Sequence, residues 1–320
     1  MLNRGVHWSA CPYLLRCTGS AAASASRRRL YDGLCGRGGE LVCPEIKMAR
    51  RFNVSRKVIS SDGVAVPTLS KSESTLPGTT IYVKLDLQIK ETPPEVGIFI
   101  PDGFELGSHI DLLLYMRGFK IADEVVSVES YFKQSYGKLR EGVNSSGRNV
   151  ILVAPALGPT SQAGTLVKPG GLDSFLRQAL AAVLKHGGLA SPPSLLTLGH
   201  LIIACHSGGG APVRKIAGGS DEGLANLREC WGYDSLYHNA DVPFWSAWAR
   251  ARTNDRLLLY YLPTGTPAQR CKELAKLKLP NLFAQKSSAP DHMHVPITHW
   301  GSNLTGANFL AMRSSRLRNP

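Results

Sequence analysis

The run Leu201-Ile202-Ile203-Ala204 breaks off at Cys205-His206-Ser207-Gly208-Gly209-Gly210, and few folds accept such a junction. Consecutive apolar residues of this length, bounded by small ones, read as a strand buried on both faces. The glycines after it open a helix. Between the two stands a single serine, at a turn so tight that the residues two before and two after it nearly touch. Both must be small, and here they are Cys205 and Gly209. This is the strand-to-helix turn of a nucleophile elbow, which pushes one hydroxyl out at the top of a sheet. The usual G-x-S-x-G stands as C-x-S-x-G, with a somewhat larger first residue. Serine-containing glycine turns also cradle phosphates or merely reverse the chain, so the remaining sequence has to discriminate.

Strand-like and helix-like segments alternate from about residue 78. Thr80–Gln88 alternates apolar and polar residues, Val96–Ile100 is a short strand closed by the turn Pro101-Asp102-Gly103, and Ile110–Met116 is a buried strand. Tyr131–Arg140 reads as a helix and Asn149–Ala154 as the fourth strand. Leu172–Lys185 carries apolar residues at helical spacing, with Gly187-Gly188 beyond its end. The strand Leu201–Ala204 and a helix from Gly210 follow, then a strand near Cys230–Tyr233, a helix around Phe244–Arg250, the strand Leu257–Leu262, a helix over Ala268–Lys276, the strand Asn281–Ala284 and a closing helix over Pro296–Ala311. Such alternation predicts an α/β fold: a mainly parallel central sheet with helices on both faces, the first strands antiparallel.

At 320 residues and 43% hydrophobic composition the chain is long enough for one large domain. No apolar run approaches the roughly 20 residues that span a bilayer, so no transmembrane segment is expected. The net charge of +13 suggests nucleic acid until it is located: residues 1–57 hold 11 Lys/Arg against 3 Asp/Glu, and the rest 26 against 21. The charge sits in the head and no nucleic-acid motif accompanies it, so nucleic-acid binding is not expected. Cys11, Cys17, Cys35 and Cys43 in the head match no zinc spacing, and Cys205, Cys230 and Cys271 are scattered through the body. This usage suggests buried thiols in a reducing, cytoplasmic setting. Residues 1–47, Arg/Ser/Ala-rich and with no acid before Asp32, have the make-up of a transit peptide, or else Met48 is the true start. The expected organisation is an extension over 1–47, a linker or N-terminal arm over 48–77 and a single domain over 78–320.

On these residues the chain resembles the α/β-hydrolase fold superfamily, in which the serine turn follows the fifth strand and the acid and histidine come later in the order Ser, Asp/Glu, His. Counted from Thr80, Ser207 follows the fifth strand. His206–Gly209, Tyr233–Tyr237 and His292–Pro296 also resemble the H-S-G-G, Y-D-x-L-Y and H-x-x-V-P segments of a bacterial serine-hydrolase-like branch, which implies no particular substrate. The resemblance implies Ser207 as nucleophile and His292 as base, with His294 as the alternative base and His299 as a structural residue inside the closing helix. The usual place for the acid, Pro263-Thr264-Gly265-Thr266-Pro267 after the seventh strand, has no carboxylate. Asp234, after the sixth, is then the expected acid, against a reading as a turn or capping aspartate. Asp291 is disfavoured because neighbours on an extended loop point apart.

An oxyanion hole would use the backbone N–H of Gly208 and one from Gly118 or Phe119, where Arg117 replaces the histidine that relatives usually carry. His206 reads as a packing and hydrogen-bonding residue. Gly158–Gly171 reads as a rim or lid loop and the tryptophans as core or pocket wall. No metal or other cofactor is implied, and the expected partner is a small-molecule acyl substrate. Two functions follow: a serine hydrolase acting on a carboxylic ester or amide through an acyl-enzyme, or a hydrolase-like binding or interaction protein without turnover.

Overall fold

The structure, a computed structural model, describes residues 58–74, 76–89, 94–107, 109–119, 127–132 and 138–305, so the head and its four cysteines lie outside the described residues. The strands are β1 (Thr68–Glu73), β2 (Thr79–Lys84), β3 (Glu95–Ile100), β4 (His109–Met116), β5 (Val150–Pro155), β6 (Thr197–His206), β7 (Leu227–Tyr233), β8 (Arg256–Tyr261) and β9 (Leu282–Lys286). They form one sheet in the order β1-β2-β3-β5-β4-β6-β7-β8-β9. The first three are antiparallel to their neighbours, and β4 to β9 run parallel. The helices are α1 (Val128–Phe132), α2 (Leu139–Ser145), α3 (Gly171–His186), α4 (Gly210–Ala217), α5 (Asp241–Ala251), α6 (Thr266–Ala275) and α7 (Val295–Thr305).

Because a strand's side chains alternate between faces, the unbroken apolar run of β6 feeds two cores at once. Leu201, Ile203 and Cys205 pack with Phe175 and Leu176 of α3, Val213 of α4 and Trp248 of α5. Ile202 and Ala204 face the other layer, with Phe132 of α1, Val143 of α2 and Trp300 of α7. Each fully buried Leu or Ile contributes roughly 1.5–3 kcal/mol, so β6 is fixed in depth and register by its sequence alone. The chain leaves β4 by α1 and α2 on one face to reach β5, then crosses by α3 on the other face to reach β6, on the opposite side of β4. Open α/β sheets bind ligands outside the carboxyl ends of the strands at such a reversal. Met116, which ends β4, pairs with Cys205 one residue before the end of β6, and this pair marks that point.

Three sequence expectations change. Part of the segment read as linker belongs to the sheet: Ile59 is fully buried and its carbonyl accepts the Leu198 N–H at 2.9 Å, while Ser61 donates to Leu196 O at 3.0 Å. β1 follows, paired to β2. It escapes notice because Thr68–Glu73 is exposed along almost its whole length, an edge strand held by backbone pairing with no apolar face to betray it. The helix expected over Tyr131–Arg140 is two short helices. Lys138 adopts a left-handed conformation (φ 40°) just before α2, and residues 133–137 lie outside the described residues. Strands β6 and β7 start earlier than expected: Gly199, His200 and Arg228 interrupt the apolar pattern and lie at shifts of register, across which both strands continue. The end of the closing helix, over 306–311, also lies outside the described residues. Ile59→Ala is expected to cost about 2–4 kcal/mol, read as a lowered denaturant midpoint at unchanged slope. A neutral result would detach residues 58–61 from the core.

Candidate active site

At the end of β6 the backbone turns through Ser207 at φ 53°, a left-handed conformation that non-glycine residues seldom adopt and that aims the side chain out of the sheet. A single 3₁₀ turn, Ser207–Gly209, leads into α4. The glycines are required by contact. A Cβ on Gly209 would lie 2.3 Å from the Met116 carbonyl oxygen and 2.7 Å from that of Arg117, so only glycine lets the turn press against the end of β4. A Cβ on Gly118 would sit 2.7 Å from Ser207 Cβ and 3.3 Å from its Oγ. The segment leaving β4 therefore passes directly over the serine, and the Phe119 ring lies across Gly208. Ser161 comes in beside them, its hydroxyl donating to the Arg117 carbonyl at 3.2 Å. Cys205, the larger residue before the turn, is buried with its thiol against Ser235, and burial pushes that thiol up to about 12. It is a packing group.

Asp234 leaves β7 by a second left-handed turn, φ 47°, its backbone N–H donating to the Tyr260 carbonyl at 2.7 Å. Its buried carboxylate accepts two bonds: the Leu262 N–H reaches Oδ1 at 3.2 Å, and His292 Nδ1 lies 2.6 Å from Oδ2. The turn reading for Asp234 holds for its backbone, but the side chain goes to the histidine and caps no helix. His292 opens the short turn His292–His294, which Asp291 caps by accepting the N–H groups of Met293 and His294. His206, next to the serine, donates from Nε2 to the His292 carbonyl at 3.0 Å, and the two rings lie 4.4 Å apart. Burial lowers His206 to about 3, so this ring is neutral and the donor role at Nε2 is fixed. Burial, with the nearby Asp234 carboxylate adding to it, pushes the Tyr237 phenol up to about 12.

Two groupings result: Gly118 and Phe119 lie against Ser207 and Gly208, and Asp234 meets His292, with the bond from His206 to the His292 carbonyl linking the two. His294 is drawn elsewhere, its Nδ1 2.8 Å from the exposed Asp291. His299 is buried in α7, stacked on Tyr260 at 3.9 Å and bonded to Ser287; burial lowers it to about 4. Trp231, Trp245, Trp248 and Trp300 are core. One contact was not read from the sequence: the bond from His206 to the carbonyl of His292. Among the described residues no group of three or more His, Cys, Asp or Glu side chains is arranged to hold a metal ion, and no helix is long and apolar enough to cross a membrane.

No protein-family model and no curated protein matches the sequence. Among solved structures the chain is similar to an S-formylglutathione hydrolase from Agrobacterium tumefaciens (14% identity, 78% of this chain and 100% of that one, TM-score 0.45). It is also similar to a ferulic acid esterase from Anaeromyces mucronatus (12%, 79% and 94%, TM-score 0.46) and an acetyl xylan esterase from Paenibacillus sp. R4 (12%, 83% and 92%, TM-score 0.42). Strand order, crossovers on both faces and the serine turn after the central strand make this an α/β-hydrolase fold.

Gly209→Ala tests the packing of the turn. Its Cβ would meet two backbone carbonyls that cannot swing aside, so a loss of about 1–3 kcal/mol in stability is expected from chemical denaturation. A variant as stable as the parent would mean that β4 and the turn are not in contact.

Proposed function

We propose that this chain is a serine hydrolase that cleaves a carboxylic ester or amide through an acyl-enzyme. The observation that carries the reading is the 2.6 Å contact between His292 Nδ1 and the buried Asp234 carboxylate. A carboxylate accepts only, so Nδ1 carries the proton and Nε2 offers its lone pair on the opposite edge of the ring. In the reaction Ser207 Oγ attacks the carbonyl carbon while its proton passes to His292 Nε2. Asp234 holds the tautomer and stabilises the imidazolium that forms. The oxyanion meets the N–H of Gly208 at the start of the helical turn and one from Gly118 or Phe119. Collapse expels the alcohol or amine with the proton from Nε2, and water then repeats the sequence on the ester of Ser207. The chemistry written this way uses only side chains, backbone and water.

A fluorophosphonate probe gives the direct test, since it reacts with an activated serine. Wild type should label and Ser207→Ala should not; a binding protein on the same scaffold would leave both unlabelled. Asp234→Asn should keep the fold yet lower kcat on a reactive ester by up to about 10⁴-fold, because the wrong tautomer is then favoured. Ser207→Ala should lose at least as much, and the double variant little more, since the residues act as a unit. An Asp234→Asn protein with normal turnover would remove Asp234 from the mechanism.

A further inference from the structure

One buried hydroxyl takes no part in the acyl transfer written above. Ser161 is 3% exposed and adopts φ 60°, a left-handed conformation that non-glycine residues seldom take. Such a residue persists only where its surroundings over-determine it, and here they do. Gly158 N–H donates to the Gln162 carbonyl at 2.9 Å, Ser161 N–H to the Gly158 carbonyl at 2.8 Å, and Thr160 N–H to Gln162 Oε1 at 3.0 Å. The braced loop delivers Ser161 Oγ to the Arg117 carbonyl, to which it donates at 3.2 Å. The same Oγ lies 3.1 Å from where a Cβ on Gly208 would stand, so it touches the segment leaving β4 and the serine turn together.

Resting on the serine-hydrolase reading, we propose that Ser161 is a positioning residue for the oxyanion hole, its hydroxyl setting the peptide plane from which the donor of Gly118 or Phe119 is presented. The Arg117 C=O and the Gly118 N–H belong to one planar peptide, and in the trans form they point in opposite directions. Among the described residues no peptide bond is cis. A bond that pins the Arg117 oxygen therefore fixes the direction of the Gly118 N–H and the course of the chain into Phe119. The constraint is useful there because β4 ends at Met116, and this peptide lies beyond its last paired residue. Ser161 meets no reacting atom. Its effect is felt where negative charge develops on the substrate oxygen, so it acts on the transition state and leaves ground-state binding alone.

Two variants of the full chain separate positioning from folding. Ser161→Ala removes the hydroxyl and keeps the strained backbone, whereas Ser161→Gly removes the hydroxyl and relieves the strain. Steady-state hydrolysis of p-nitrophenyl acetate is measured well below the Tm of each protein. Losing an oxyanion donor outright costs about 10²–10³ in kcat, so loosening one is expected to cost about 5- to 50-fold. Both variants should show that fall in kcat with KM unchanged, and Ser161→Gly should melt no lower than the parent. A merely structural serine would give turnover that follows Tm, reduced in the alanine variant and restored in the glycine one, and that result overturns the proposal. A loss confined to KM also overturns it. Fluorophosphonate labelling of wild type keeps the two failures apart. If wild type neither labels nor turns over, the hydrolase reading fails and takes the oxyanion role with it; if wild type labels and Ser161→Gly keeps its kcat, the positioning role alone fails.

Discussion

Everything at this site depends on two stretches of backbone touching. The turn after β6 and the segment leaving β4 approach so closely that a methyl group on Gly209 or Gly118 would collide with its neighbour. Ser207 adopts φ 53° at that junction, a conformation of order 1–3 kcal/mol above the ordinary wells that persists only where the surroundings over-determine it. The surroundings here are β6, buried on both faces, and the carbonyls of Met116 and Arg117. The serine is therefore presented by the core of the protein and not by a flexible loop. The same contact carries Gly118 and Phe119 over Gly208, where two backbone donors must converge if they are to meet one oxyanion.

Asp234 shows how two adjacent strands share in holding one side chain. The loop after β8 has no carboxylate in Pro263–Pro267, yet the end of β8 still serves the site. Leu262 N–H bonds Asp234 Oδ1, and the Tyr260 carbonyl receives the Asp234 N–H. The carboxylate is carried one strand inward, on β7, and β8 supplies the donor and acceptor that hold it. His292 Nδ1 turns to the same carboxylate, at Oδ2. Such partners matter because a polar group buried without hydrogen bonds is costly.

The sequence carried what chemistry and burial dictate together, and it was silent where only backbone acts. The β6 run and its glycines were readable because both obey hard rules, depth for apolar residues and contact for small ones. Asp234 was reached by elimination among loops, and His292 through its resemblance to a family position. β1 left no trace because Thr68–Glu73 buries almost nothing and pairs through main-chain groups that every residue possesses. The break before α2 rests on the backbone angle of Lys138, a residue type with no preference for that region.

His206 explains why a bulky side chain precedes the serine where a smaller one would seem easier to fit. It points into the protein, opposite in sense to Ser207, and ties the serine turn to the carbonyl of His292 at 3.0 Å. The turn thereby positions its own partner from beneath, joining the loop after β9 to the end of β6. Its protonation state matters to the proposed chemistry. With ring centroids only 4.4 Å apart, a charged His206 would oppose an imidazolium at His292 by like-charge repulsion in a poorly screened site. Burial, the largest cause of its lowered value of about 3, prevents this at any ordinary pH. The ring therefore stays hydrogen-bonded and neutral beside His292, whose Nδ1 lies 2.6 Å from Asp234 Oδ2.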